Sequence, residues 1–312
     1  MGDRQLSVAS SEEIAEDVRL VTLTDPMGGP LPAWEPGAHI DLVVDDLVRQ
    51  YSLCGDPAVT RSWTIAVLRD EQGRGGSRLV HGLAAGDAVA VRGPRNHFPL
   101  VGASAYRFVA GGIGITPILP MIRAAEAAGT PWTLTYGGRR RASMAFLHEL
   151  ARFGHRVTVV PHDEEGLIDL DAALGAPTPG TRVYCCGPES LLAAVEEKCA
   201  GWPSDTLHVE RFAPREIADP DPGLDVFEVE FQATGTRTVV TRGGTILEAA
   251  TAAGIEVLTS CEEGTCGTCE TVVLAGEPEH LDSVLSPQEQ AEGNTMMICV
   301  SRSRTPVLVL DL

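Results

Sequence analysis

Four of the eight cysteines in this chain form one spaced group near its C-terminal end. Cys261, Cys266 and Cys269 stand in the run SCEEGTCGTC, and Cys299 follows after 29 further residues. One tight loop can place three thiolates around a metal centre, and a distant segment then supplies the fourth. This C-x4-C-x2-C…C spacing is that of the ligands of a [2Fe–2S] cluster. The alternative is a structural zinc site, which usually combines two short C-x2–4-C pairs, whereas here only Cys266 and Cys269 have that spacing.

The residues around this cysteine loop form a regular series of short segments. Gly264 and Gly267 lie inside the loop, where the lack of a side chain lets backbone N–H groups approach the cluster sulfides. Alternating apolar and polar residues predict strands, and TILEAATAAG has helical spacing that ends at Gly254. The predicted strands are 225–231, 236–240, 270–277 and 305–312. This order of elements resembles the plant-type ferredoxin domain, an α+β (β-grasp) fold, across about ninety residues.

The middle of the chain, roughly residues 104–214, alternates between predicted strands and predicted helices. This alternation predicts a doubly wound parallel sheet, an α/β fold in which ligands bind at the carboxyl ends of the strands. The predicted helices are 117–129, 144–154 and 188–201. Two strand-to-helix turns are rich in glycine and proline: AGGIGITP at 110–117 and CCGPESL at 185–191. The first suits a pyrophosphate, because its glycines admit the ligand to the backbone and a helix follows, although it lacks the full G-x-G-x-x-G pattern.

The first hundred residues contain short alternating segments with turn signals between them, which predicts a small antiparallel β-barrel. Within it, RQYS at residues 49–52 offers a guanidinium for a phosphate, an aromatic face for a flat ring and a hydroxyl. GRGGSR at 73–78 lies just before a short predicted helix, whose N-terminus suits a phosphate. Each feature alone also has an ordinary explanation, with Tyr51 as a core residue, Arg49 as a surface charge and the glycines as a loop.

Seven short motifs occur in one order along the whole chain. They are RQYSL, GRGGS, PRNHFPL, AGGIGITP, YCCGP, HVERF and CEEGTCGTC. The series resembles the phthalate dioxygenase reductase family and is similar to vanillate demethylase reductase subunits. The resemblance implies an FMN-binding β-barrel domain, an NAD-binding α/β domain, a linker and a plant-type [2Fe–2S] ferredoxin domain. Their expected bounds are 1–102, 103–214, 215–224 and 225–312.

The resemblance also implies an activity and the residues that serve it. A hydride passes from NADH to FMN, and single electrons then pass through the [2Fe–2S] cluster to a separate oxygenase. No catalytic acid or base is implied, because the cofactors carry the chemistry and the protein positions them. The residues implied to hold FMN are Arg49, Gln50, Tyr51, Ser52, Ala66, Val67, Gly75, Gly76 and Ser77, with Phe212 close to the flavin. Those implied for the nicotinamide cofactor are Gly112, Gly114, Ile115, Cys186, Gly187 and Pro188, with Thr116 between flavin and nicotinamide.

Acidic residues outnumber basic ones by 43 to 24, which leaves a net charge of −19. Such a charge repels nucleic acid and anionic lipid, and no apolar run reaches the ~20 residues that span a bilayer, so neither is an expected partner. The N-terminus lacks the pattern of a secretory signal, so a cytoplasmic protein is expected, and we expect a monomer. Residues 224–312 alone carry a net charge of −10. This excess is either an ordinary solvated surface or a face that docks onto a positively charged acceptor.

Some alternatives stay open at this level. Arg139, Arg140 and Arg141 could engage the ribose phosphate of NADPH, although NADH is preferred. FMN is preferred to FAD on the resemblance alone. The expected acceptor is a Rieske-type aromatic oxygenase or O-demethylase, and a haem monooxygenase is the second candidate. A ferredoxin-type carrier without flavin, or a zinc-stabilised binding module, would leave RQYSL and GRGGS without a role.

Overall fold

The computed structural model describes residues 3–44, 47–73, 75–215 and 223–312. The chain divides into two compact units, residues 1–210 and residues 211–312. Most of the predicted linker falls on residues 216–222, which lie outside the described residues. The finer domain bounds given above therefore stay predictions.

Six antiparallel strands of the first unit form the predicted barrel. They are β1 (Arg4–Ala15), β2 (Val18–Thr24), β3 (His39–Val44), β4 (Leu47–Ser52), β5 (Ser62–Leu68) and β6 (Ala88–Arg95), with a short helix, α1 (Gly76–Gly82), before β6. Their order is β4-β3-β6-β1-β2-β5, and a bridge between Leu53 and Ile65 joins the two ends of the sheet. Trp63, Ile65 and Val67 alternate along β5 and are buried, as expected for a strand with one face toward a core.

Five parallel strands form the second sheet of this unit, which confirms the predicted doubly wound fold. The strands are β7 (Ala105–Gly111), β8 (Trp132–Gly138), β9 (Val157–Pro161), β10 (Thr181–Cys186) and β11 (Leu207–Glu210). The helices are α2 (Ile115–Ala127), α3 (Leu147–Leu150), α4 (His162–Glu165), α5 (Leu170–Leu174) and α6 (Glu189–Cys199). The order β11-β10-β7-β8-β9 means that the direction of winding reverses between β7 and β10. A ligand site is expected at that point, outside the carboxyl ends of those two strands.

The helix predicted over 144–154 is shorter than expected. The α-helical part, α3, has four residues, and a 3-10 segment, Ala151–Arg156, follows it. Gly154 inside this segment has a φ of +58°, a left-handed conformation that interrupts a regular helix. The apolar spacing predicted correctly that this segment has a buried face, but the prediction of one continuous helix was wrong.

One of the hydrophobic clusters in the first unit contains residues of both the barrel region and the parallel-sheet region. Val18, Ala66 and Phe98 of the barrel belong to the same buried cluster as Ile118 and Ile122 of α2. α2 is buried from Ile115 to Ile122, which is typical of a helix that is apolar on all sides and packed on more than one surface. This cluster includes Cys54, which lies two residues after the RQYS strand, and Ile115, which lies at the glycine turn.

The second unit has the predicted order of a plant-type ferredoxin. Its elements are β12 (Phe227–Phe231), β13 (Thr236–Val240), α7 (Ile246–Ala252), β14 (Glu270–Ala275), β15 (Pro278–Glu279), α8 (Pro287–Glu292), β16 (Thr295–Met297), β17 (Arg302–Ser303) and β18 (Val307–Leu310). The main sheet has the order β13-β12-β18-β14-β16, and β15 pairs with β17. α7 starts where it does because Thr245 and Glu248 form a reciprocal capping box. Among the residues that the structure describes, no helix is both long and apolar enough to cross a bilayer.

Candidate functional site

The two predicted nucleotide turns meet at the point where the winding of the parallel sheet reverses. A Cβ atom added to Gly114 would overlap the carbonyl group of Cys186 and lie 2.7 Å from the nitrogen of Gly187. One added to Gly111 would lie 2.6 Å from Cδ of Pro188. Glycine is therefore required at Gly114 by the backbone of the second turn and at Gly111 by the side chains of Pro188 and Leu191. The structure thus brings together the residues of AGGIGITP and CCGPESL that the sequence placed in one site.

The first turn of α2 contains a proline, Pro117. Pro117 is the third residue of the helix, not the first as its position in the turn suggested, and it has no N–H to donate. The carbonyl oxygen of Ile113 would normally accept from the N–H of residue 117. It accepts from the hydroxyl of Thr116, at 3.0 Å. Gly112 has a φ of +54°, and no atom lies within 4 Å of where its Cβ would be. The turn therefore has open space beside Gly112 and a helix N-terminus next to it, which together suit a pyrophosphate.

Arg49 and Tyr51 of β4 lie on the side of the barrel that faces α1. They line a shallow cleft together with Leu42, Leu47, Gly76 and Val80. A Cβ on Gly76 would overlap the Arg49 side chain and lie 3.2 Å from its Nε, so Gly76 is needed for the guanidinium to take this position. Burial raises the pKa of Tyr51 to about 12, so its ring stays neutral and offers an apolar face. Contact of Arg49 and Tyr51 with the phosphate and ring of FMN stays a prediction.

Other predicted FMN residues already make contacts within the protein. Gln50 Nε2 donates to Asp41 Oδ1 at 3.2 Å, on the opposite face of β4 from Tyr51. The Ser77 hydroxyl accepts a bond from the Asp70 N–H at 3.0 Å. The carbonyl oxygen of Val67 lies 2.9 Å from His81 Nε2.

Two more of the predicted FMN residues are described by their backbone or burial. Gly75 has a φ of +94° and precedes α1, while Ala66 is buried on β5. Direct contact of these residues with FMN stays a prediction.

Glu210, at the end of β11, connects the flavin strand to the nucleotide turn. Its carboxyl group hydrogen-bonds with Ser52 of β4. Its Oε2 also accepts from the Cys186 thiol, with Sγ to Oε2 at 3.9 Å. Burial of the carboxyl group raises the pKa of Glu210 to about 8, and burial also raises the pKa of Cys186 well above its ordinary value. At neutral pH both groups are therefore protonated, and the site between the two sheets contains no net charge from them.

We expect Glu210→Gln to remove a pH-dependent part of the stability. The folded pKa of Glu210 lies above its unfolded value of 4.5, so its contribution is complete below about 4.5 and is lost as pH rises to about 8. Thermal unfolding of the wild type and the variant, at intervals from about pH 5 to about pH 9, measures this. The difference in Tm, wild type minus variant, should fall up to about pH 8 and then level off. A difference in Tm that does not change with pH would contradict the assigned burial.

The four predicted cluster cysteines lie together in the second unit as two pairs. Cys261 and Cys266 share a hydrogen bond between their side chains, and so do Cys269 and Cys299. In each pair one thiol is stabilised as the thiolate: the bond from Cys266 lowers the pKa of Cys261, and the bond from Cys299 lowers that of Cys269. Within the described residues, no group of three or more His, Cys, Asp or Glu side chains is placed to hold a single ion. Two pairs of thiols fit the two irons of a [2Fe–2S] cluster, with two sulfur ligands for each iron.

The backbone of the cysteine loop explains how these pairs form. Cys261 Sγ accepts from the N–H groups of Glu263 and Thr265, at 3.3 and 3.4 Å, because the loop folds back around it. Gly264 has a φ of +69°, and a Cβ there would lie 2.6 Å from Cγ2 of Val300. Glycine is thus required at Gly264 by both conformation and space. The Gly264 N–H itself hydrogen-bonds with the Cys299 sulfur, whereas the donors to Cys261 belong to the residues on either side of Gly264.

Strand pairing brings the fourth cysteine to the loop. β14 and β16 are antiparallel, with Glu270 opposite Met297 and Thr271 opposite Met296. This register places Cys269, just before β14, beside the residues that follow β16, and Cys299 is among them. The distant fourth ligand that the spacing predicted therefore arrives through a strand pair.

Two domain models and a full-length relative match this chain. The model for a 2Fe-2S iron-sulfur cluster binding domain matches residues 229–304, and that for an oxidoreductase NAD-binding domain matches residues 108–197. Phthalate dioxygenase reductase of Burkholderia cepacia is 40% identical over 319 residues, covering 100% of this chain and 98% of that protein. This chain belongs to the phthalate dioxygenase reductase family.

Two further matches are to a dioxygenase subunit and to a self-sufficient cytochrome P450 protein. Phenoxybenzoate dioxygenase subunit beta of Ectopseudomonas oleovorans is 44% identical over 302 residues, covering 96% of this chain and 94% of that one. The crystal structure of an intact type IV self-sufficient cytochrome P450 monooxygenase is 48% identical, with a TM-score of 0.92 over 99% of this chain. The reductase spans 41% of the length of that P450 protein.

Family membership gives the reductase its cofactors, which are NADH, FMN and a [2Fe–2S] cluster. The reductase is an NADH-dependent flavin and iron–sulfur enzyme that passes electrons from NADH through the flavin to the cluster. The thiol pairs, the open turn at Gly112 and the cleft at Arg49 and Tyr51 fit these groups. That these residues hold the three groups stays a prediction.

Sequence reasoning chose Phe212 from the HVERF motif and missed Glu210. Phe212 belongs to the second unit, where 46% of its surface is exposed, and its place near the flavin stays a prediction. Glu210 had a signal that was not used: it is an acid at the carboxyl end of a parallel strand, where ligands bind. Its contact with Ser52 joins residues 158 positions apart and could not be derived from either motif alone.

Proposed function

We propose that the electron acceptor of this reductase is a Rieske-type aromatic oxygenase or O-demethylase. Support comes from relatives that match over nearly their whole length and are named as parts of dioxygenase systems, namely those for phthalate and phenoxybenzoate. The observation that carries the proposal is the joining of two kinds of site in one chain. The glycine turns proposed for the pyridine nucleotide lie in the first unit, and the paired thiols proposed for a one-electron centre lie in the second.

In this proposal each group of residues has a separate task. Bound FMN supplies the chemistry that converts a two-electron hydride into single electrons. The turn at Gly112 and Gly114, with Thr116 at the start of α2, orients the nicotinamide nucleotide. Arg49 and Tyr51 hold the flavin phosphate and ring. The neutral Glu210 holds Ser52 and the Cys186 turn together, so that donor and acceptor rings are positioned for transfer.

The second candidate acceptor is a haem monooxygenase. The specific observation in its favour is the 48% identity to the type IV self-sufficient cytochrome P450 monooxygenase, over 99% of this chain. In either case the ferredoxin segment carries a net charge of −10, which would steer it toward a basic surface on the acceptor.

One comparison of acceptors tests the proposal. NADH is added without oxygen to the reductase and either a purified Rieske-type oxygenase or a purified P450, and reduction of each metal centre is followed by absorbance. We expect the Rieske centre to be reduced at least about tenfold faster, at a rate that falls as salt is raised. Faster reduction of the haem would replace the first candidate by the second. A reductase that reduces neither, although its own flavin is reduced by NADH, would overturn both.

The charged residues that follow β8 support NADH rather than NADPH. Arg141 Nη2 lies 2.8 Å from Glu164 Oε2, and Arg140 Nη2 lies 2.8 Å from Glu16 Oε1. Two of the three arginines that could bind a ribose phosphate are therefore already paired with carboxylates. The acidic run from Asp163 to Glu165 also repels an added phosphate at this edge of the sheet.

Removal of the Glu164 charge should weaken this preference. In Glu164→Gln, Arg141 loses its main carboxylate partner, so we expect the ratio of kcat/KM for NADPH to that for NADH to rise about fivefold. Glu165→Gln is the matched control, because Glu165 lies 3.9 Å from the same guanidinium group and makes a weaker contact. Equal ratios in both variants and the wild type would mean that Arg141 does not reach the nucleotide.

A further inference from the structure

Arg123 of α2 makes four hydrogen bonds, two to the flavin barrel and two to α3. Its Nη1 donates to the carbonyl oxygens of Cys54 and Gly55, at 2.7 and 2.5 Å. Its Nε and Nη2 donate to the two carboxylate oxygens of Glu149 in α3, each at 2.9 Å. The side chain is only 21% exposed, so solvent competes weakly for these bonds. The planar guanidinium is thus used on both of its edges.

The two segments that Arg123 joins are those that carry the cofactor residues. Cys54 and Gly55 lie two and three residues after Ser52, the last residue of the RQYS strand. α2 begins at Ile115 and Thr116, at the nucleotide turn, and Arg123 lies eight residues further along the same helix, about 12 Å along its axis. A buried helix transmits a displacement of one end to the other. The position of α2 against the loop 54–55 therefore sets how Thr116 lies relative to Ser52.

The barrel side of this contact is itself well fixed. The N–H of Cys54 donates to Thr64 at 2.9 Å, and the N–H of Leu53 donates to Ala38 at 2.8 Å. The carbonyl groups that Arg123 binds are therefore held by backbone bonds to the barrel strand β5 and the segment before β3. Arg123 contacts a defined point of the barrel and not a loose loop.

We propose that Arg123 is a positioning residue for hydride transfer, which holds the nicotinamide turn in register with the flavin strand. The proposal rests on the passage of a hydride from NADH to the flavin. Arg123 touches neither cofactor site directly and acts through α2 and the loop 54–55. Its loss should change the geometry of the complex between reductase and NADH more than the affinity for either cofactor.

A second arginine that contacts α2, Arg156 at the end of the 3-10 segment Ala151–Arg156, provides a matched control. Arg156 also makes a two-pronged contact with a glutamate of α2, Glu126, and it stacks on Trp132 at 4.6 Å from the ring centroid. No contact described for Arg156 reaches the barrel. Arg156→Met and Arg123→Met therefore both remove an arginine–glutamate pair from α2, but only the second releases the loop at Cys54.

Rapid mixing of the holoenzyme with NADH measures the proposed effect. In Arg123→Met we expect the limiting rate constant of flavin reduction to fall about 10- to 100-fold, while the apparent Kd for NADH changes less than about threefold. Arg156→Met should keep the wild-type rate constant even if its Tm falls. Glu149→Gln should also stay near the wild-type rate constant, because Arg123 keeps its bonds to Cys54 and Gly55. Arg123→Lys should recover part of the rate, since one ammonium group can reach a carbonyl but cannot bind on two edges.

Hydrogen exchange provides a readout that does not depend on turnover. Amides of residues 52–55 and 112–116 should exchange faster in Arg123→Met than in wild type, and not in Arg156→Met. A wild-type rate constant in a folded Arg123→Met variant would overturn the proposal, as would equal losses in both methionine variants. If Arg123→Met does not fold, Arg123→Lys and Glu149→Gln are compared instead. A lowered rate constant in Arg123→Lys beside a wild-type one in Glu149→Gln supports the proposal, and equal rate constants in the two variants overturn it. A wild-type reductase whose flavin is not reduced by NADH would instead refute the underlying function.

Discussion

Cys266→Ala should abolish electron delivery to a protein acceptor and leave the reduction of the flavin by NADH intact. Cys266 is paired with Cys261, so its loss leaves one iron position with a single thiolate, and the cluster is not retained. The nucleotide turn and the flavin cleft lie in the first unit, outside the unit that contains the cysteine loop. The flavin should therefore still accept a hydride but have no one-electron centre in this chain to pass electrons to.

Three measurements test whether the two units have these separate roles. Iron and sulfide content should fall to near zero, the rate constant of flavin reduction by NADH should stay within about twofold of wild type, and acceptor reduction should fall more than about 100-fold. Cys199→Ala is the control, because it is the same substitution at a buried cysteine of α6 with no part in the cluster. If Cys266→Ala also loses NADH-driven ferricyanide reduction while FMN is still bound, the two units do not have the separate roles assigned here.

Gly114→Ala should remove the reduction of the flavin by NADH while reduction by dithionite survives. Gly114 has an ordinary helical conformation, with φ −61° and ψ −4°, so the backbone itself would accept alanine. The space would not, because the added Cβ would overlap the carbonyl group of Cys186 and lie 2.7 Å from the nitrogen of Gly187. These are backbone atoms at the ends of adjacent strands, so the clash can be relieved only by moving the two turns apart.

We expect a loss of more than about 100-fold in the rate constant of flavin reduction by NADH, since separation of the turns by about 1 Å displaces the nicotinamide. Electrons supplied by dithionite enter without the nucleotide site, so the cluster and the acceptor should still be reduced. Gly201→Ala is the matched control, because a Cβ there meets no atom within 4 Å. Normal NADH-driven reduction in Gly114→Ala would show that the contact between the two turns is not needed for the site.

Local sequence was most informative where the chemistry depends on residue type and spacing. The four cysteines predicted the cluster because few ligand sets share that spacing, and the structure brings the four together as two pairs. Glycines at the end of β7 predicted the nucleotide turn, because only a residue without a side chain tolerates another backbone so near. Periodicity predicted strands well but overestimated the helix at 144–154, because it reports a buried face and not the backbone break at Gly154.

The sequence by itself determined which residue types were available, and in what order, for the cluster, the nucleotide turn and the flavin strand. Tertiary structure alone decided which of them meet. Glu210 joins Ser52 to Cys186, and Arg123 joins α2 to Cys54, across separations of 24 to 158 residues. Such contacts depend on strand order and on a core shared by two sheets, and no local pattern encodes either one. The same holds for the raised pKa of the buried Glu210 carboxyl group, because desolvation is a property of the packed protein and not of the residue.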